Sequence, residues 1–280
     1  MDGIVLINKE KNLTSRDVVN KLMKKLNTKK IGHAGTLDPL ATGLLVIGVG
    51  KGTKILDLLT LDTKEYIAVV KMGIQTDTMD ITGNILEKTD NINLSKEELN
   101  SVLKSYQKSY EQTVPKYSAV KINGKKLYEY ARNDEEIELP KRLVKIFNLE
   151  LLNYDKENLE FTFKTLVSKG TYIRSLIDDI GKSLNINFTM KELTRVKSGK
   201  FSLQDSFNIN EEFTFIKIEE ALDFSKIIVN DDILLKKVKN GNKINLDNNE
   251  EYVTLLDEFN QILAIYKKEE NNLYKAFKVF

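Results

Sequence analysis

Apolar residues fall in short blocks along the chain, and their period changes from block to block. Residues 3–7 and 43–50 are continuous apolar runs of strand length, which predicts two buried strands. Between them Val18, Val19, Leu22, Met23 and Leu26 recur at helical spacing. Thr14, with Asp17 three residues on, is a start signal for that helix. Residues 66–72 predict another strand, and Ser95-Lys96-Glu97-Glu98 opens a helix that ends near Tyr106. Residues 114–122 and 125–132 flank Asn123-Gly124, a strong turn signal, and predict strand, turn and helix. Segments 147–154 and 159–166 predict a hairpin pair. Residues 171–184 predict a helix with Ile173, Leu176, Ile177 and Ile180 on one face.

Past about residue 225 the texture changes. Short apolar segments at 253–256, 262–266 and 274–280 alternate with Asn, Asp and Glu-rich stretches, which predicts a small all-β module. A chain of 280 residues suits one domain of roughly 200 residues followed by a smaller one. The expected division is 1–225 and 226–280. No internal repeat or low-complexity linker interrupts either part.

Composition narrows the chemistry. Apolar residues make up 41% of the chain, enough for an ordinary core, and 43 basic against 41 acidic residues leave a charge of +2. A polyanionic partner must therefore be met by local patches rather than by net charge. Such patches exist. Residues 1–60 hold ten basic and five acidic groups, residues 114–132 hold five and one, and residues 133–140 then hold four acids. The absence of cysteine excludes disulfides, zinc fingers, iron–sulfur clusters and thiol nucleophiles. A single histidine, His33, excludes a multi-histidine metal site. No apolar run reaches the length of a membrane span, and the opening Met1-Asp2-Gly3 lacks the basic start of a secretory leader. A cytoplasmic protein without membrane contact is the expectation.

Two motifs invite a reading and fail it. Gly48-Val49-Gly50-Lys51-Gly52-Thr53 has neither the GxGxxG nor the P-loop spacing, so it predicts only a strand-end turn. Asp77 and Asp80 have the types of a magnesium site, but turns use Asp and Thr equally well. The informative segment is Gly32-His33-Ala34-Gly35-Thr36-Leu37-Asp38-Pro39-Leu40-Ala41-Thr42-Gly43. The proline holds Asp38 in an extended conformation, so a carboxylate is presented from a stiff loop ahead of a buried strand.

That segment resembles the signature loop of the TruB family of tRNA pseudouridine-55 synthases, and further segments resemble the same family in the same order. They are Lys64-Glu65-Tyr66 with Gly73 to Asp80, Val114 to Lys121 with Gly124 to Arg132, Ser168 to Leu176 with Asp178-Asp179-Ile180-Gly181, and Leu193 to Gly199. Together they span about residues 3–205. The resemblance implies an α+β fold, with a mixed, bent sheet and flanking helices around a central RNA cleft, an RNA-contacting insertion at about 114–140, and a small β-rich PUA-like domain at the end.

The activity implied is isomerisation of the T-loop uridine of tRNA, without cofactor or metal, by a stand-alone enzyme; since nothing in the sequence marks an oligomer interface, a monomer is expected. The resemblance makes Asp38 the catalytic carboxylate, places Tyr66 against the target base, and pairs Arg174 with Asp38 to orient it and keep it ionised. Whether Asp38 attacks C1′ or removes the C2′ proton stays open. Tyr172 and Leu193 line the pocket. His33 supports the loop from which the uridine is flipped, and Asp80 contacts a flipped nucleotide. Lys9 matches an N-terminal basic position, and Lys125, Lys126, Arg132, Arg195 and Lys197 are phosphate contacts.

The family usually carries Lys-Pro-x-Gly after the first strand. Here Lys9-Glu10-Lys11-Asn12 lacks both, although Asn12 suits a left-handed position that Gly would fill. Two other readings remain: an RNA-binding or tRNA-folding protein, and a pseudouridine synthase that depends on partner proteins. An Asp-nucleophile phosphohydrolase has little support, because no second carboxylate stands near Asp38-Pro39-Leu40 to hold magnesium.

Overall fold

A computed structural model of the chain describes residues 1–60, 63–133 and 135–280. The first strand, β1 (Gly3–Lys9), is buried on both faces, as its unbroken apolar run requires. Helix α1 (Ser15–Lys25) follows and is capped as predicted. Thr14 Oγ1 accepts from Asp17 N, and the Asp17 carboxylate accepts from Thr14 N. The chain returns through β2 (Ile31–Ala34), the Asp38 loop and β3 (Thr42–Val49). Residues 50–55 form a 3-10 turn, in keeping with the rejected nucleotide-loop reading, and lead into the short α2 (Leu56–Leu59). Strand β4 (Lys64–Met72) alternates strictly: Tyr66, Ala68, Val70 and Met72 are buried, and Ile67 and Val69 are half-buried on the other face.

A small hairpin, β5 (Ile74–Thr76) with β6 (Ile85–Lys88), carries the Asp77–Asp80 turn. Helix α3 (Lys96–Ser105), capped by Ser95, precedes the edge strand β7 (Ser109–Thr113). The strand expected over 114–122 shrinks to β8 (Lys121–Ile122). It pairs with β9 (Lys125–Lys126) across Asn123-Gly124, both at positive φ as a tight hairpin demands, and α4 (Leu127–Arg132) follows. Val114 N still reaches Pro140 O, continuing the β7 edge, and the pairing stops at Pro115, which has no N–H to donate. The hairpin β10 (Lys141–Asp155) and β11 (Glu160–Val167), then α5 (Ile173–Ser183), agree with the pattern. The pattern did not predict β12 (Phe188–Ser198), an interior strand of the sheet between β3 and β4, which is extended by β13 (Phe201–Ser202).

The sheet order is β1-β3-β12-β4-β11-β10-β7, with β2 added on β3 and β13 on β12. All its pairings are antiparallel except β3 with β12, where Thr42 faces Thr194 and Gly43 faces Arg195. Leucines 99 and 103 of α3 and the apolar stripe of α5 cover one face over Phe161, Phe163 and Val70, and Leu37, Leu40 and Ala41 of the Asp38 loop join the same core. Helix α1 packs on Val5, Ile7, Leu45 and Ile47. After α6 (Ile218–Ala221), residues 225–280 form a second sheet, β14-β16-β17-β18-β15. Its strands are β14 (Ser225–Ile228), β15 (Ile244–Asn245), β16 (Tyr252–Leu256), β17 (Ile262–Glu270) and β18 (Leu273–Val279). The module is not all-β: α7 (Asp232–Lys239) buries Val238 against Val253 and Tyr266. Among the described residues no helix is long and apolar enough to cross a membrane.

The single parallel junction leaves no room for a side chain at Gly43. Its φ is +98°, and a Cβ there would lie 2.4 Å from the Arg195 carbonyl oxygen. Gly43→Ala is expected to cost about 3 kcal/mol, from backbone strain together with overpacking, read as a shift in the urea midpoint. A shift of a few tenths would show that the junction can open freely.

Candidate active site

Asp38 lies in the loop between β2 and β3, and four residues hold that loop in place. Ser15 Oγ accepts from Leu37 N (2.9 Å) and donates to Leu37 O (3.2 Å). The Asn12 amide donates to Pro39 O at 2.8 Å, and Lys9 Nζ reaches the same oxygen at 3.4 Å. Arg195 donates to Leu44 O (2.7 Å) and Gly35 O (3.1 Å). The carboxylate is therefore presented by a loop tied down at both ends.

Opposite stands Arg174, on the first turn of α5 and only 5% exposed. Its Nε lies 2.9 Å from Asp38 Oδ2. Its two other nitrogens donate to Thr78 O (2.9 Å) and Tyr117 O (3.0 Å), so one planar fork joins three loops. The two groups face a cavity of about 480 Å³ that Tyr66, Tyr172, Leu193 and Ser118 also line. The other charged walls are Lys64, Arg142, Lys169 and Arg195. Five cations surround one carboxylate in a chain of nearly balanced charge, a wall suited to a phosphate-bearing ligand.

A family model described as TruB family pseudouridylate synthase (N terminal domain) matches residues 23–173. A protein of Mesoplasma florum named tRNA pseudouridine synthase B is 41% identical over 279 residues, covering 98% of this chain and 96% of its own. The chain belongs to the TruB family. A Bacillus cytotoxicus protein of the same name is 42% identical, over 95% of this chain and 92% of its own. Among solved structures, a Cbf5-Nop10-Gar1 complex contains a chain that superposes with a TM-score of 0.73. At 22% identity it covers 99% of this chain and 84% of that one, and it supports the fold alone.

Not every residue expected at this TruB-family site faces the cavity. Asp38, Tyr66, Arg174, Tyr172, Leu193 and Arg195 line it, whereas His33, Asp80 and Lys9 do not. Arg195, expected as a phosphate contact, is 1% exposed and spends its donors on Leu44 O and Gly35 O. It is a strut of the Asp38 loop, because a guanidinium beneath two chain segments satisfies carbonyls that no strand reaches. Lys9 is likewise fully buried, its ammonium donating to Leu13 O (2.6 Å) and Glu10 O (2.9 Å) as well as Pro39 O. Burial pushes its pKa down to about 8, against the pull of Asp38. Asn12, with φ +68°, adopts the left-handed conformation expected of a Gly substitute.

Asp80, expected to touch a nucleotide, is 6% exposed, and its Oδ1 accepts from Thr82 N and Thr78 Oγ1, each 3.0 Å away, and from Thr82 Oγ1. It organises the turn that offers Thr78 O to Arg174. Asp77 caps the same turn through Asn84 N, and no metal-binding cluster exists among the described residues. His33 lies on β2 with a buried Nδ1 that has no hydrogen-bond partner among the described residues. Burial, then the charges of Arg195 and Arg16, push its pKa below the ordinary value, so it is neutral at neutral pH.

The remaining cations lie outside the cavity. Lys126 and Arg132 sit over the Tyr128 ring at 5.3 and 5.4 Å, and Lys125 over Tyr130 at 4.5 Å. Lys125 also pairs with Glu135, so the acidic run partly neutralises the basic segment before it (Asp134 of that run lies outside the described residues). Lys197 is exposed, because the bulge between Arg195 and Lys197 breaks the alternation of β12. Sequence reasoning missed the roles of Ser15 and Lys64. Ser15 falls inside the start signal of α1 and nothing local marks its contact with Leu37, 22 positions on; Lys64 donates to Thr60 O, and nothing local marks its place in the cavity wall.

Lys9 ties stability to pH. In the unfolded chain it titrates near 10.5, in the folded one near 8. Between these values the unfolded chain binds more protons, so stability due to Lys9 rises with pH across that window. The difference in unfolding free energy between wild type and Lys9→Met is expected to climb from pH 8 to 10.5. A flat difference would show that the Lys9 ammonium is well solvated.

Proposed function

We propose that this chain isomerises the T-loop uridine of tRNA to pseudouridine, with Asp38 as the catalytic carboxylate. The observation that carries the reading is the Asp38–Arg174 pair, 2.9 Å apart, at a cationic cavity walled by Tyr66 and Tyr172. The tRNA substrate rests on the names of the curated relatives, and the T loop on the family resemblance.

The reaction breaks the C1′–N1 bond, turns the uracil, and joins C1′ to C5. C5 loses its proton to solvent and N1 gains one, so nothing is oxidised and no cofactor is required. Asp38 acts either by attack at C1′ or by removing the C2′ proton to leave a glycal; both need a carboxylate aimed by a fixed donor, which Arg174 Nε supplies. The Tyr66 ring suits stacking on the uracil, and its hydroxyl suits the deprotonation at C5. Reaching the base requires flipping it from its stack, at a cost of about a few kcal/mol, into a pocket that excludes its neighbours. A cavity of about 480 Å³ accommodates one nucleotide. Neutral His33 then suits packing in the vacated loop better than pairing with phosphate. Residues 226–280 act as a PUA-like RNA-binding domain behind a catalytic part of 1–225, and the enzyme works as a cytoplasmic monomer without obligatory protein partners.

A tRNA transcript tritiated at uridine C5 tests this directly. Wild type is expected to release tritium stoichiometrically from the T loop, and Asp38→Asn none. Arg174→Lys, which keeps the charge but loses the fork, is expected to slow release about 100-fold. Release by Asp38→Asn would remove Asp38 from the chemistry. No release by wild type with binding intact would favour the RNA-binding or partner-dependent readings. For binding, exposed Lys197 is the cation expected to touch phosphate: Lys197→Ala should reduce the slope of log affinity against log salt by about one. An unchanged slope would place Lys197 outside the RNA footprint.

A further inference from the structure

Gln112 is a buried polar side chain that the chemistry above does not use. It lies on the edge strand β7 and is 1% exposed. Its amide is fully engaged: Oε1 accepts from Tyr172 N (2.8 Å), and Nε2 donates to Tyr172 O (3.1 Å) and to the Tyr110 hydroxyl (2.8 Å). The Tyr110 hydroxyl in turn donates to Asp179 Oδ2 (3.1 Å), which fixes the direction of every bond in the chain. One side chain thus holds both backbone groups of Tyr172, as a neighbouring strand would.

Tyr172 is the residue that begins α5, and its own side chain offers no cap. Its ring lines the cavity, and Arg174 follows two residues later. Ser175 Oγ donates to Thr113 O (2.9 Å), a second staple between the end of β7 and the first turn of α5. A glutamine contributes little net stability by such bonds, yet it fixes one geometry among several that an apolar contact would tolerate.

We propose that Gln112 is a positioning residue for this site, holding Tyr172 and Arg174 in register with Asp38. The inference rests on the Asp38 reading above. Its test is steady-state tritium release from the same transcript by Gln112→Met, and by Gln112→Glu, which keeps the shape but sets a carboxylate oxygen against Tyr172 O. For both, kcat is expected to fall about thirtyfold with KM within about threefold of wild type, because misplacement of a reacting group costs rate rather than binding. Leu103→Ala, a core truncation in α3 that destabilises the same domain, is expected to keep the wild-type kcat below its melting temperature. Wild-type kcat in either Gln112 variant, with Asp38→Asn inactive, overturns the role of Gln112 alone. An equal loss of kcat in Leu103→Ala overturns it too, since the effect would then report stability. An inactive wild type, or an active Asp38→Asn, overturns the Asp38 reading and this inference with it.

Discussion

The buried guanidinium of Arg174 is the constraint on which the site depends. A charge at 5% exposure is costly unless it is paired and its donors are filled. Here the three partners are Asp38 Oδ2, Thr78 O and Tyr117 O, from three loops far apart in sequence. Each loop has anchors of its own, Ser15 and Arg195 for the Asp38 loop, the backbone of Met190 for the Asp80 turn and Tyr128 N for the carbonyl of Ser118, and the Arg174 fork ties the three to one another. The same requirement that makes Arg174 expensive to bury therefore fixes how the carboxylate, the Asp80 turn and the 114–120 segment meet at the site.

Two other buried cations extend the principle. Lys9 and Arg195 are spent on backbone oxygens around the Asp38 loop. They hold the loop mechanically, and Arg195 together with Lys64, Arg142, Lys169 and Arg174 also biases the cavity wall toward positive charge. A chain with a net charge of +2 reaches a locally cationic pocket by placing cations there, while other lysines are neutralised by surface carboxylates such as Glu135 and Glu160.

Much of the scaffold was legible. The Thr14–Asp17 cap, the alternation of β4, the Asn123-Gly124 turn and the stripe of α5 are all local signals, readable because side-chain period and turn chemistry act within a few residues. Strand β12 was not legible. Its buried and exposed positions are reset by two bulges, and polar Arg195 occupies an inward position that a pattern reading assigns to solvent. The helix of the C-terminal module was hidden for a similar reason: its lysine-rich turn reads as loop until Val238 is seen packed on the sheet.

By itself the sequence determined the element types over most of the part before residue 225, the absence of thiol chemistry, and the ordered motifs that place the chain in the TruB family. It also singled out Asp38 and Arg174 by resemblance. Only the tertiary structure decided what each cation is for. Lys9, Arg195 and Lys197 carry the same charge in the sequence, yet two are interior struts and one is exposed. That difference arises from which carbonyls and strands converge around each side chain, contacts made between residues as many as 160 positions apart, which no local pattern carries.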